Sequence, residues 1–149
     1  MNIAIACDHG GIVLKEKVIE AIVEKNFSYT DFGCYSSDSC DYPDYALKAA
    51  EAVASGVCDK GILLCGTGIG ISIAANKVKG IRCGHVTDVF SAKATAEHNN
   101  ANIIALGGRI TTPEDAKKIV SAYLETAFAG GRHQLRVDKI SQIEDKYFK

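Results

Sequence analysis

The sequence GILLCGTGIG at residues 61–70 joins an apolar run to a glycine-rich turn. Gly61 to Cys65 predicts a short buried strand, and the segment from Ile69 to Lys77 predicts the helix that follows it. Glycines at three alternate positions remove side chains at the turn, so backbone N–H groups face outward at the start of the helix. Negative charge is stabilised at such a helix start. A thiol in this position indicates catalysis, which makes Cys65 the first candidate residue.

Working outward, strand-like runs alternate with helical periodicity along the whole chain. Four more strands are predicted at Ile3–Cys7, Phe27–Phe32, Ile81–Val86 and Ile103–Leu106. Further helices are predicted at Gly11–Lys25, Tyr45–Ala54 and Val89–Glu97, then from Pro113 up to Gly130, and finally at Leu135–Tyr147. This alternation predicts an α/β fold: residues 1–149 as one Rossmann-like three-layer sandwich, with a five-stranded parallel sheet and a C-terminal helix.

Composition excludes several classes of protein. The chain has 149 residues and a net charge of −1, without a basic cluster that would suit nucleic acid. It has no apolar run long enough for a membrane span, and its N-terminus lacks the basic region of a signal peptide. Its six cysteines include no C-x-x-C pair, so no metal site is expected. We therefore expect a protein of the reducing cytoplasm that binds neither nucleic acid nor membrane.

The glycine-rich turn fits none of the common phosphate-binding motifs. A dinucleotide fingerprint follows the first strand with a different glycine spacing, and a P-loop needs a Gly-Lys-Ser/Thr ending that is missing here. A cysteine phosphatase would need an arginine closing the loop, where this chain has Ile71 and Ser72. The remaining non-catalytic interpretation is a structural turn beside a buried cysteine.

Two histidine-containing stretches are further candidates. Asp8-His9 follows the first predicted strand, and ligands bind at the carboxyl ends of strands in folds of this kind. The alternative for this pair is a helix cap with a surface imidazole. His98-Asn99 precedes the fifth strand and could serve proton transfer, or could simply end a helix.

Three arginines indicate an anionic ligand. Arg132 and Arg136 are four residues apart, on one face of a helix that begins there, and Arg109 follows the fifth strand. Guanidinium groups present planar forks of donors that suit phosphate, although arginines at helix ends are often only solvated. With a net charge near zero, these residues suggest one small anion.

Taken together, the motifs resemble the type B ribose-5-phosphate isomerase family, which includes the galactose-6-phosphate isomerase subunits. The resemblance runs essentially end to end. It rests on CDHGG (7–11), DYP (41–43), CGTGIGISIAANK (65–77), HNNAN (98–102), GGR (107–109) and GGRHQLRV (130–137).

The resemblance implies an aldose-ketose isomerase of the pentose phosphate pathway that interconverts D-ribose 5-phosphate and D-ribulose 5-phosphate without a metal or cofactor. Cys65 would be the base and His98 would open the sugar ring. The enediolate would be stabilised by Thr67 and the loop amides of Gly66, Thr67, Gly68, Ile69 and Gly70. Asp8 and Asn99 would position hydroxyl groups. His9, Arg109, Arg132 and Arg136 would hold the phosphate. One branch of the family uses a glutamate where this chain has Ile71, so the cysteine mechanism is implied here.

The positions of these residues relative to the predicted strands add an expectation about assembly. Cys65 ends a strand whereas His98 precedes one, so a single subunit should hold them at opposite edges of the sheet, about 17–20 Å apart. We therefore expect a homodimer with active sites shared between subunits, with a tetramer left open. Other interpretations are an isomerase of a six-carbon aldose phosphate such as allose 6-phosphate, a non-catalytic sugar-phosphate-binding module, and a redox-sensing thiol protein in which Cys7 pairs with Cys65.

Overall fold

The computed structural model describes residues 1–149 as five strands and six helices. The strands are β1 (Asn2–Cys7), β2 (Ser28–Asp31), β3 (Lys60–Cys65), β4 (Cys83–His85) and β5 (Ile103–Gly107). The helices are α1 (Ile12–Glu24), α2 (Tyr42–Ala54), α3 (Ile69–Ala75), α4 (Val89–Asn99), α5 (Pro113–Glu125) and α6 (Arg132–Tyr147). No helix combines the length and the apolar character that crossing a membrane requires.

All five strands form one parallel sheet in the order β2-β1-β3-β5-β4. The predicted α/β architecture with a five-stranded parallel sheet and a C-terminal helix is therefore confirmed. The chain runs from β1 outward to β2 and then crosses to β3 on the other side of β1. This reversal makes the crevice between β1 and β3 the place where ligands bind in open α/β sheets.

Strand β1 buries side chains of different size on the two faces of the sheet. One face carries Ile and Leu residues of β1, β3 and β5 against α1, α4 and α5. The other face carries Ala4 and Ala6 of β1 against α2, whose inward residues Ala46, Ala49 and Ala50 are also fully buried. Because both partners are alanines, α2 can approach the sheet closely. We call this contact the alanine layer.

Three element boundaries differ from the prediction in ways that affect the site. α2 begins at Tyr42 instead of Tyr45, because Pro43 falls in the first turn of a helix, where a missing N–H costs nothing. α4 continues past Glu97 to Asn99, so its last turn carries His98. α6 begins at Arg132 instead of Leu135, after Gly131 at its N-cap.

Candidate active site

Three loops meet at the carboxyl ends of β1, β3 and β5, and they carry Asp8, Cys65 and Arg109. The backbone ties them together: the amide of Asp8 donates to Leu64 O at 3.0 Å, and that of Gly108 donates to Cys65 O at 2.8 Å. We call residues 66–70, which follow Cys65, the glycine loop. Arg109 lies over this loop, since a β-carbon on Gly66 would be 3.1 Å from its guanidinium. We call this cluster the thiol cluster.

Cys65 is held by the loop that follows it. Its side chain is nearly buried, at 5% exposure, and its Sγ accepts a hydrogen bond from the amide of Gly68 at 3.1 Å. The amide of Ile69 donates to Thr67 Oγ1 at 3.2 Å, which leaves the hydroxyl hydrogen of Thr67 free to donate. This contact fixes the sulfur at the start of the loop, and the thiolate is the form of a cysteine that acts as a base.

Two glycines allow this loop to close. Gly68 has φ +80°, a left-handed conformation that other residues adopt with strain. Gly107 of β5 passes directly beneath the loop, where a β-carbon would lie 2.5 Å from the carbonyl carbon of Thr67. The loop is therefore packed against the end of β5 by backbone contact.

Asp8 and His9 are both oriented by backbone amides. Asp8 Oδ1 accepts from the amides of Gly10 at 2.8 Å and Gly11 at 3.1 Å, and its side chain is almost buried. His9 Nδ1 accepts from the amide of Cys40 at 3.2 Å, so a neutral His9 carries its proton on Nε2. That N–H is a donor suited to an anionic substrate group.

Sequence reasoning missed two residues of this cluster. Tyr42 lies on the glycine loop, where a β-carbon on Gly70 would be 2.4 Å from its ring. His85 Nε2 is 2.8 Å from Thr67 O. Tyr42 belonged to a quoted motif, but its contact joins residues far apart in sequence. A cleft of about 410 Å³ opens beside Asp8 and Tyr42.

A second cluster, which we call the histidine cluster, lies at the end of α4 and the start of α6. A cleft of about 310 Å³ is lined there by His98, Asn99, Arg132, His133, Arg136, Val137 and Ile140. The rings of His98 and His133 stack with centroids 4.4 Å apart and an interplanar angle of 14°. Sequence reasoning gave His133 no role, although it stands between the two arginines.

The histidine cluster is electropositive. The pKa of His133 lies below its ordinary value because of desolvation, with repulsion from His98, Arg132 and Arg136 adding to the effect. His133 is therefore largely neutral at neutral pH. Two permanent cations beside two imidazoles form a natural seat for a phosphate.

The two clusters are separate within one chain. Gly107 at the end of β5 pairs with Cys65, whereas His98 precedes Ile103 at the start of β5. The five residues of β5 span about 13 Å at the usual rise per residue. Arg109 belongs to the thiol cluster, so the three arginines do not converge within one subunit.

The structure argues against a redox pair of Cys7 and Cys65. The two cysteines belong to different cores on opposite faces of the sheet. Cys7 Sγ instead lies 3.9 Å from Cys34 Sγ. Burial raises the pKa of Cys7 to about 12, so its thiol is unreactive at neutral pH.

The sequence and the fold of this chain both match those of known proteins. Residues 3–140 match the ribose/galactose isomerase family. The chain belongs to that family. It is 47% identical to ribose-5-phosphate isomerase B of Escherichia coli over 145 residues, covering 97% of each protein. The family resemblance drawn from the motifs is therefore confirmed.

Solved structures of the same family agree with this fold. Ribose-5-phosphate isomerase B of Clostridium thermocellum superposes with a TM-score of 0.96 at 50% identity over 99% of both chains. That of Mycoplasma genitalium, solved with bound ribulose-5-phosphate, gives 0.93 at 42% identity over 97% of both. This member of the ribose/galactose isomerase family is a sugar-phosphate isomerase, which removes the non-catalytic binding module as an interpretation.

Proposed function

We propose that this isomerase interconverts D-ribose 5-phosphate and D-ribulose 5-phosphate in the pentose phosphate pathway of the cytoplasm. The proposal rests on the thiol of Cys65, which lies at the end of the central strand β3. Its sulfur accepts a hydrogen bond from the amide of Gly68 at 3.1 Å. The E. coli relative, named for this substrate, supports the choice of a pentose phosphate. All six cysteines are free thiols, as a reducing compartment would keep them.

The residues can be given complementary roles in an enediolate mechanism. His98 exchanges a proton with the ring oxygen and opens the furanose to the aldehyde. Cys65 as thiolate then removes the C2 proton and returns it to C1, while the O2 hydroxyl proton moves to O1 in the same conversion. Every atom of ribose 5-phosphate is retained in ribulose 5-phosphate, so no oxidant or reductant is needed.

The charge that develops on oxygen during this step needs donors. The hydroxyl of Thr67 and the loop amides of Gly66–Gly70 are the donors nearest to Cys65, and preorganised groups of this kind are typically worth a few kcal/mol each. A bound oxyanion would compete with Thr67 Oγ1 for the Ile69 amide. Asp8 accepts through Oδ1 from two amides, which leaves Oδ2 for a sugar hydroxyl.

The phosphate and the ring-opening step both require the histidine cluster. Because that cluster lies at the opposite end of β5 from Cys65, we propose a two-fold homodimer in which one subunit supplies Cys65 and the other supplies His98 and Asn99. Arg132 and Arg136 of the second subunit then join His9 and Arg109 of the first around the phosphate. Pairing of dimers into a tetramer is compatible with this arrangement.

The reaction is tested by turnover of ribose 5-phosphate with wild type, Cys65→Ala and Cys58→Ala. Cys58 is equally buried but lies just before β3, at its far end from the glycine loop, so its variant controls for the loss of a buried thiol. We expect Cys65→Ala to lose at least about a thousandfold in kcat, and Cys58→Ala to stay near wild type. Wild-type turnover of allose 6-phosphate instead of ribose 5-phosphate would assign the six-carbon substrate.

The shared site is tested by mixing two inactive variants. Cys65→Ala and His98→Asn subunits are denatured together and refolded. Half of the dimers are then mixed, and each mixed dimer has one intact site, so about one quarter of wild-type activity should return. If all active residues came from one subunit, no activity would return.

A further inference from the structure

The end of α4, which carries His98, is held by a side chain from another part of the sheet. Arg82, just before β4, donates from Nε to Asn99 O at 3.2 Å and to Asn100 O at 3.1 Å. Another nitrogen of the same guanidinium, Nη2, also donates to Asn100 O, at 2.9 Å. The last carbonyls of a helix have no partner within the helix, and here one guanidinium satisfies two of them.

The backbone around Arg82 is tied to the same segment. Asn102 Oδ1 accepts from the Arg82 amide at 2.9 Å, and Asn102 Nδ2 donates to Gly80 O at 2.8 Å. Asn100 turns the chain with φ 46° and ψ 44° at the C-cap. The main chain on both sides of Asn100 is therefore hydrogen-bonded to residues 80–82, the segment just before β4.

The two carbonyls that Arg82 contacts belong to the residues that directly follow His98 in the chain. His98 is exposed, and its own side chain has no short hydrogen bond to fix it; its neighbours are the stacked ring of His133 and Glu97 Oε2 at 4.0 Å. The direction of its Cα–Cβ bond is thus set by the last turn of α4. If that turn frays, the ring moves.

We propose that Arg82 is a positioning residue that holds His98 in the orientation needed for ring opening. The proposal rests on the proposed function, in which His98 exchanges a proton with the ring oxygen. The guanidinium suits this role because its planar fork reaches two carbonyls at once, and because a cation is stabilised at the C-terminal end of a helix. A lysine could offer only a point charge.

Lys79 provides a matched control. It is a cation three residues before Arg82, and it pairs with Asp145 of α6 at 3.0 Å without touching the end of α4. Removing it changes the net charge by the same amount as removing Arg82. Any difference between the two variants then reports the contacts to Asn99 and Asn100.

The test compares Arg82→Met, Arg82→Lys and Lys79→Met by kinetics and by NMR of the histidine ring protons. With four histidines in the chain, the His98 signals can be assigned by His98→Asn. For Arg82→Met we expect kcat with ribose 5-phosphate to fall about tenfold to a hundredfold, with KM within about twofold of wild type. The His98 ring signals shift as well. Lys79→Met should change none of these.

Arg82→Lys keeps one donor toward Asn100 O and should recover part of the lost kcat. If Arg82→Met does not fold, the comparison of Arg82→Lys with wild type tests the same proposal. The proposal is overturned by an unchanged kcat with unmoved His98 signals, by a rise in KM alone, or by full activity in Arg82→Lys. A wild type without turnover would reject the proposed function instead. The His98 signals would then still decide the role of Arg82.

Discussion

The backbone amide of Gly68 points at the sulfur of Cys65, 3.1 Å away, in a loop that only glycine can close in this way. The donor and the acceptor are three residues apart, so the strand end and the first turn of α3 form one rigid unit. The unit excludes most solvent from the thiol, which is 5% exposed. Rigidity of this loop is therefore a requirement for the proposed base.

We expect Gly68→Ala to lower both stability and turnover. The residue has φ +80°, and its new β-carbon would lie 2.8 Å from the carbonyl carbon of Leu106. Gly56→Ala is the matched control, because Gly56 has φ +81° with open space around it. The control should cost only the conformational strain, about 1 kcal/mol, and leave kcat unchanged. Urea unfolding and ribose 5-phosphate kinetics measure both; equal effects of the two variants would contradict the expectation.

Tyr123→Phe should destabilise the chain by about 1–2 kcal/mol. The fully buried hydroxyl of Tyr123 donates to Ala101 O at 2.8 Å, and its removal leaves that buried carbonyl without its partner. Tyr147→Phe is the control, since Tyr147 is largely exposed on α6. The measurement is the free energy of unfolding in urea. A loss no greater than that of Tyr147→Phe would show that the hydrogen bond is replaced.

Arg132→Ala and Arg136→Ala should raise KM by about tenfold or more with a smaller effect on kcat, because a charged hydrogen bond to phosphate is lost in ground state and transition state alike. Lys139→Ala removes a cation from the same helix outside the histidine cluster and should leave KM unchanged. Competitive inhibition by inorganic phosphate gives a second reading of the same site. An unaltered inhibition constant in the arginine variants would place the phosphate elsewhere.

Stability should decline as the pH rises from 9 to 12. Burial raises the pKa of Cys7 from 9.0 to about 12, so over this range the unfolded chain releases a proton that the folded chain retains. The group favours folding below pH 9, and this contribution is lost as the pH rises. Cys7→Ala should decline less steeply than wild type in unfolding experiments across this range. Parallel curves for the two proteins would show that the thiol ionises freely in the folded state.

The sequence predicted the elements whose signals are local. The run at 61–70 placed Cys65 at a strand end followed by a helix, and the alternation of apolar runs placed its strand within a parallel sheet. The boundary of α2 was missed because Pro43 looks like a helix breaker but is compatible with a first turn.

Contacts between distant residues could not be predicted in the same way. Arg82 reaches Asn100 across 18 positions, and Tyr42 lies against Gly70 across 28. Neither pair has a spacing that a helix or strand period would reveal. Such contacts depend on the order of strands in the sheet, which side-chain periodicity does not specify.

Because of the alanine layer, the two faces of this sheet differ in the substitutions that they tolerate during evolution or design. Exchanges among Ile, Leu and Met on the face toward α1 and α5 conserve volume and are readily absorbed. On the other face, even one added methyl group at Ala46 or Ala49 would push α2 outward. Tyr42 is the first residue of α2 and its ring lies against Gly70 of the glycine loop, so added bulk in the alanine layer would displace the loop that holds Cys65 and lower activity as well as stability.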